Sequence, residues 1–187
     1  MTANEIKAIQ TEIGVMPDGI WGAKSKAACR QYLLALRTLT YWPVADDASM
    51  TRFYGAAGDE SMLYNLDVSE LDVRYDGTRV KTIRCHKKVA ASLRAVLEDI
   101  YAGPEAKILR SYAGCYNNRP MRGAKRPSKH AWGVAIDLSI LRNGYSTPWP
   151  SIATMPFEVI KAFARQGWVG LSWTKGSDAM HFQATQP

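Results

Sequence analysis

The stretch that most constrains this chain is Ser128-Lys129-His130-Ala131-Trp132-Gly133-Val134-Ala135-Ile136-Asp137-Leu138, in which a histidine precedes a strand-period run carrying an aspartate. Read from Gly133, the alternation puts Val134, Ile136, Leu138 and Ile140 on one face and Gly133, Ala135, Asp137 and Ser139 on the other. Such a strand buries its branched residues and turns its small residues and one carboxylate the other way. That leaves room beside the carboxylate for a metal ion or a substrate. An Asp near a His is more often a hydrogen-bonded pair than half of a metal site, and these two residues alone favour the simpler reading.

The tail, Trp173-Thr174-Lys175-Gly176-Ser177-Asp178-Ala179-Met180-His181-Phe182-Gln183, shifts the balance. The chain has only three histidines, and one of them follows Asp178 closely here. His130, Asp137 and His181 together make an N,N,O ligand set. Zinc sites that do chemistry typically use three protein ligands and keep the fourth tetrahedral position for water. Asp178 is then the unligated carboxylate that such a site needs as a proton acceptor.

These residues carry a resemblance. Ser-x-His-x-x-Gly-x-Ala-x-Asp followed by Asp-x-x-His resembles the zinc peptidases that cut peptidoglycan stem peptides: D-alanyl-D-alanine carboxypeptidases and dipeptidases, and the L-alanyl-D-glutamate endopeptidases of phage lysins. The likeness spans roughly residues 82–183, and it is the ordered pair of motifs that makes it specific. It implies that His130, Asp137 and His181 hold Zn2+ and that Asp178 is the catalytic base; many relatives have Glu there, and phage-type members resemble this chain in having Asp. It also implies an α+β fold of the hedgehog/D-Ala-D-Ala-peptidase kind, a small antiparallel sheet with flanking helices, over residues 44–187. Relatives place an arginine upstream of the Ser-x-His motif on the developing oxyanion. Arg119 is the expected counterpart and Arg122 the second choice, because a guanidinium forks onto carboxylates and oxyanions better than an ammonium does. Ser128 is expected to orient His130 or to bond substrate, and Trp173 to contact substrate.

Both arginines lie in a basic run. No acidic residue stands between Glu105 and Asp137, while Lys107, Arg110, Arg119, Arg122, Lys125, Arg126 and Lys129 all do. Charge runs are usually solvated faces, but this one leads into His130, so it is expected to rim the cleft. Cys115 beside it raises a rival mechanism, a thiol nucleophile with His130 as base. That rival leaves Asp137, Asp178 and His181 without a joint purpose. The remaining histidine, His86, belongs to neither motif and reads as a capping or surface residue.

Residues 1–43 read as a separate helical module. Asn4 can cap a helix with Ile6, Ile9 and Ile13 at helical spacing. Gly14 ends it, Pro17-Asp18-Gly19 turns, and a second helix runs from about Lys24 to Leu39. Ile9-Gln10, Gly14-Val15, Asp18-Gly19-Ile20-Trp21-Gly22, Ser25 and Ala28 resemble the helical peptidoglycan-binding repeat, here as one repeat without a clear second. A helical hairpin that only packs on the catalytic part is the alternative. Farther on, Asp76-Gly77 marks a hairpin, Lys87 to Ala102 a helix, Ala106 to Tyr112 a strand, and Pro156 to Gln166 a helix with Phe157, Ile160 and Phe163 inward.

The 187 residues suffice for a buried core, and a formal charge of +7 favours anionic partners such as wall polymers or nucleic acid. Cys29, Cys85 and Cys115 are odd in number and widely spaced, which fits reduced thiols rather than a disulfide framework or a CxxC ribbon. No signal-peptide pattern opens the chain and no apolar run is long enough to span a bilayer. The expectation is a monomeric phage endolysin held in the host cytoplasm until release. It would be a Zn2+-dependent endopeptidase cutting an L-alanyl-D-glutamate or D-alanyl-diaminopimelate bond of peptidoglycan, with no nucleic-acid partner and no stable membrane insertion. A D-alanyl-D-alanine carboxypeptidase and a non-catalytic wall-binding protein are the alternatives.

Overall fold

In the computed structural model, which describes residues 1–37 and 41–187, backbone pairing gathers the distant His130–Leu138 and Asp178–Gln183 stretches into one sheet. The chain runs α1 (Ala3–Glu12), α2 (Ala23–Leu36), α3 (Asp47–Tyr54), β1 (Leu63–Asp67), β2 (Arg74–Tyr75), β3 (Thr78–Arg79), β4 (Thr82–His86), α4 (Ala90–Ala102), β5 (Tyr112–Gly114) and β6 (Ala135–Leu138). It continues with the single turn α5 (Ile140–Asn143), α6 (Phe157–Arg165), β7 (Val169–Gly170), the single turn α7 (Leu171–Thr174) and β8 (His181–Gln183). The larger sheet has the order β3-β2-β5-β6-β8-β7, and β1 and β4 pair separately. β2 and β5 run parallel through Tyr75 and Tyr112, so the sheet is mixed rather than purely antiparallel. The architecture is α+β.

Local chemistry accounts for the elements. Thr2, not Asn4, caps α1, in a capping box with Glu5. Gln10 then organises the turn that follows. Its Nε2 donates to Asp18 Oδ1 at 2.8 Å and to Ser25 Oγ at 3.0 Å, and its Oε1 accepts from Gly19 N at 2.8 Å. The Gln, Asp-Gly and Ser of the repeat-like string are thus joined in one hydrogen-bond network around the buried Gln10 amide. α2 ends at Leu36; the expected extension to Leu39 lies outside the described residues. The β2–β3 turn has Asp76 at φ 47° and Gly77 at φ 76°, the left-handed pair a two-residue hairpin demands.

The core lies between the buried face of β6 and β8 and the apolar stripe of α6. Ile136 and Phe182 are fully buried, and Phe163 stacks on Phe182 with ring centroids 3.9 Å apart. Trp168 is also fully buried and donates from Nε1 to Ser92 Oγ on α4 at 3.0 Å. Ile9, Ile13, Cys29 and Leu33 of α1 and α2 join the same buried cluster, with α2 against α6. No helix is long and apolar enough to cross a membrane among the described residues.

Three local expectations fail for identifiable reasons. Residues Ala106–Ser111 form a 3-10 helix, not a strand, and extended pairing begins only at Tyr112, because the Pro104 turn delivers the chain to the sheet late. Ile140 does not continue the apolar face of β6. Ser139 adopts φ 55°, which ends the strand, and Ile140 is exposed at the start of α5. His86 is not at the surface: it is buried, with Nε2 on the Tyr54 carbonyl at 2.8 Å and Nδ1 accepting from Lys88 N at 3.0 Å.

Gly133 joins the two sheets. Its φ is 67°, its carbonyl accepts from His86 N at 2.8 Å, and a Cβ there would sit 2.8 Å from Leu63 Cδ2 and 3.0 Å from His86 N. Left-handed strain and a backbone clash act together, so Gly133→Ala is expected to destabilise the fold by about 1–3 kcal/mol. Thermal denaturation checks this; a melting temperature equal to that of the parent protein would contradict the packing described.

Candidate metal centre

His130 lies on a 3-10 turn, Lys129–Trp132, that Ser128 caps: the Ser128 Oγ accepts from His130 N at 3.4 Å. The turn is fixed from several sides, with Asn117 N donating to the His130 carbonyl at 3.0 Å, Gly58 N to the Ala131 carbonyl at 2.8 Å, and Trp132 Nε1 to the Gly55 carbonyl at 2.8 Å. Asp137 and His181 face each other directly across the antiparallel β6–β8 pair. Side chains of such opposed residues project on the same side of a sheet. The three residues therefore converge: His130 Nε2 is 3.3 Å from Asp137 Oδ2, His181 Nδ1 is 3.0 Å from Asp137 Oδ1, and the two ring nitrogens are 3.2 Å apart. One ligand atom from each of the three residues lies within 4.8 Å of the others, close enough for the three to share one ion, although ligand atoms about 2.0–2.1 Å from a tetrahedral zinc are only ~3.3–3.4 Å apart.

Hydrogen bonds fix which nitrogens face the centre. His130 Nδ1 lies 2.7 Å from the Cys115 carbonyl, which can only accept, so Nδ1 carries the proton and the Nε2 lone pair points inward. His181 Nε2 lies 3.1 Å from Gln183 Oε1. The Gln183 amide orientation is set in turn, since its Nε2 donates to Thr185 Oγ1 at 2.8 Å and that hydroxyl donates to the Gln186 carbonyl at 3.0 Å. His181 therefore keeps a proton on Nε2 and presents Nδ1 to the centre. Ala135, opposite Gln183 on β6, leaves space for this amide. The i, i+2 spacing of His181 and Gln183 on one strand face is the sequence signal for that partner, and the paired His/Asp motifs do not include it.

Electrostatics follow from the same contacts. Burial alone would push the Asp137 carboxyl up, but the hydrogen bonds from His130 and His181 outweigh it and hold Asp137 well below the usual carboxylate range. Burial alone would lower His181, but the Asp137 carboxylate and the Gln183 amide raise it above the ordinary imidazole value. A proton retained by this cluster and a bound cation would therefore compete for one place.

Asp178 stands beside the cluster in an unusual state. It has φ 55°, its carbonyl accepts from His181 N at 3.1 Å, and its side chain is buried with Oδ1 lacking any hydrogen-bond partner. Burial pushes its carboxyl above the ordinary aspartate range. Asp178 is close enough to the cluster to feel the charge of His181, Asp137 and His130.

The other expected residues lie elsewhere. Arg119 is exposed and donates to the Pro120 carbonyl at 3.2 Å, and the Arg122 guanidinium lies over the Tyr145 ring at 5.9 Å. Among the described residues neither donates a hydrogen bond to the cluster. The basic run is only partly a rim: Arg110 pairs with Asp72, Arg126 forks onto Asp47 with two 3.0 Å bonds, and Lys129 is buried against the Ala45 carbonyl. Trp173 is buried in the wall of a cavity beside α2. Cys115 is a poor nucleophile, because its thiol is buried and pushed well above its ordinary value by that burial, and what it offers His130 is its carbonyl.

Residues 122–184 match the family model described as D-alanyl-D-alanine carboxypeptidase, about a third of the chain and the part that holds His130, Asp137, Asp178 and His181. No curated protein and no solved structure matches the chain.

Two outcomes follow for metal binding. Because His181 is held protonated above the usual imidazole range, zinc affinity is expected to rise with pH from 6 to 8 with release of a proton. Titration calorimetry in buffers of different ionisation enthalpy measures that release, and pH-independent affinity would contradict the shared position. Replacing the acceptor at nearly constant volume, Gln183→Met, is expected to weaken zinc binding by ~10–100-fold; unchanged affinity would remove Gln183 from the site.

Proposed function

We propose that this chain is a zinc-dependent peptidase that hydrolyses an amide bond in the stem peptides or cross-links of peptidoglycan, and that it serves as a phage-type endolysin. The observation that carries the reading is the convergence of two imidazole nitrogens and a carboxylate at 3.0–3.3 Å, with a buried, unpartnered carboxylate next to them. The match of residues 122–184 supports the same chemistry. His130 Nε2, His181 Nδ1 and Asp137 would hold the ion. When bound, zinc supplies a Lewis acid for a carbonyl oxygen and lowers the pKa of a coordinated water from ~15.7 toward ~7.

The chain's own groups do the rest. Asp178 takes a proton from the attacking water and passes it to the departing amine nitrogen, a role suited to a carboxyl held above its ordinary range. Asp137 and the two imidazoles stay fixed through the turn, because Cys115, Gln183 and Thr185 hold their orientations. Arg119, with Arg122 as the alternative, is the residue we assign to the tetrahedral oxyanion; both sit on the loop that leads into His130, so a substrate laid across that loop comes within reach of a long guanidinium side chain. Residues 1–43 form the helical module assigned to the wall polymer, followed by a catalytic part over 44–187 of the hedgehog/D-Ala-D-Ala-peptidase kind. The scarcity of acidic residues around His130 suits a substrate rich in carboxylates.

A carboxypeptidase that removes a terminal D-alanine is the second reading, favoured by the description of the matching family. Mass spectrometry of fragments released from purified sacculi separates the two: an endopeptidase frees stem peptides or splits cross-links, whereas a carboxypeptidase frees only single D-alanine. Release of nothing at all by zinc-loaded protein would reject both.

Within this mechanism Asp178→Ala is expected to keep stoichiometric zinc and lose turnover by ~10²–10⁴-fold. His181→Ala is expected to lose zinc and turnover together. Metal content by elemental analysis alongside sacculus hydrolysis checks both, and full activity in Asp178→Ala would contradict the role given to that carboxyl.

A further inference from the structure

A cavity of about 270 Å³ lies between α2 and the segment that leads from α7 toward Asp178. Its charged wall is entirely cationic. Lys26 and Arg30 face it from α2 and Lys175 from just beyond α7, all three exposed, and none forms an ion pair among the described residues. Its apolar wall is indole: Trp21 is half-buried and edge-on to Trp149 at 5.3 Å, and Trp173 closes the far side. Lysines and arginines alone would be an ordinary solvated face. The indole wall behind them and the enclosed volume set this place apart. Ser172 and Trp173 line the same cavity and are more than nine-tenths buried, and among the described residues the Ser172 Oγ and the Trp173 Nε1 have no hydrogen-bond partner. Buried donors without acceptors are rare in folded proteins, and each calls for an explanation.

We infer that this cavity is a second binding site, taking a carboxylate-bearing sugar or peptide segment of the wall polymer and formed jointly by the N-terminal helices and the tail. The walls offer donors and positive charge but no carboxylate, so the complementary ligand is an anion rich in acceptors. Indole faces suit the apolar face of a sugar ring or an aliphatic stem side chain. The volume admits one sugar or one to two amino-acid residues, not a nucleic-acid duplex. The identity of the polymer rests on the function proposed above; the charge and shape of the site do not. Because Lys175 and Gly176 lie just upstream of Asp178, a segment held here would position a neighbouring amide relative to the metal centre.

The test is equilibrium binding to the whole zinc-loaded chain, read by tryptophan fluorescence, since Trp21, Trp149 and Trp173 line the cavity. Three probes separate the sources: the N-acetylglucosamine–N-acetylmuramic acid disaccharide with its free lactyl carboxylate, an unglycosylated stem peptide, and uncharged chitobiose. Saturable change with at least one of the first two and none with chitobiose is expected, and Lys26→Glu with Arg30→Glu should weaken it roughly tenfold or more. Lys175→Glu, on the opposite wall and outside any helix, should do the same and guards against misfolding of α2. Absence of a saturable change, equal response to chitobiose or to a short oligonucleotide, or indifference to both sets of substitutions overturns the inference. Sacculus hydrolysis without such binding overturns the cavity assignment alone; binding without hydrolysis overturns the peptidase reading alone.

Discussion

The candidate site depends on one cross-strand register. Asp137 and His181 oppose each other on β6 and β8, and a shift by a single residue would bring Ile136 or Phe182 to that face and send the carboxylate into the core. Register is held from the opposite side of the sheet. Ile136 and Phe182 are fully buried, and Phe163 of α6 stacks on Phe182. Hydrophobic burial on one face therefore sets electrostatics on the other. Packing on the helix side thus helps fix which residues face the candidate site.

His130 reaches the same place by a different route. It belongs to a short 3-10 turn, an element with little stability of its own, and is fixed by its surroundings: Ser128 at its start, left-handed Gly133 at its end, and backbone bonds from Asn117 and Gly58. Beyond each imidazole stands an acceptor that decides which nitrogen is bare, a main-chain carbonyl for His130 and an oriented amide for His181. These acceptors leave Nε2 of one ring and Nδ1 of the other facing the same carboxylate.

Much of this was legible in the sequence because it rests on period and on scarce residue types. The alternation from Val134 to Leu138 gave the strand, three histidines in 187 residues made His130 and His181 conspicuous, and Asp76-Gly77 announced its hairpin. What was not legible depends on contacts between distant segments. Nothing in Ala106–Ser111 distinguishes a 3-10 helix from a strand, since its apolar residues suit either. Ser139 ends β6 early through a left-handed φ that serine rarely adopts. The basic run looked uniform because charge is visible in a sequence and pairing is not: Asp47 and Asp72, which neutralise Arg126 and Arg110, lie far upstream. The same holds for Gln183, whose amide matters only because Thr185 and His181 flank it in space.

Among the described residues, the buried side-chain atoms left without partners are Ser172 Oγ, Trp173 Nε1 and Asp178 Oδ1, all within one short segment. Asp178 also has a left-handed backbone, and its carboxyl is desolvated beside a carboxylate held ionised. Among the described residues the other buried side-chain polar atoms have partners, including the amide of Gln10 and the indole of Trp168. Unpartnered buried groups gathered in one short segment are where something outside the chain could relieve them. The function and the second site proposed above each account for one end of this segment: a cation beside Asp178, and an acceptor-rich anion beside Ser172 and Trp173.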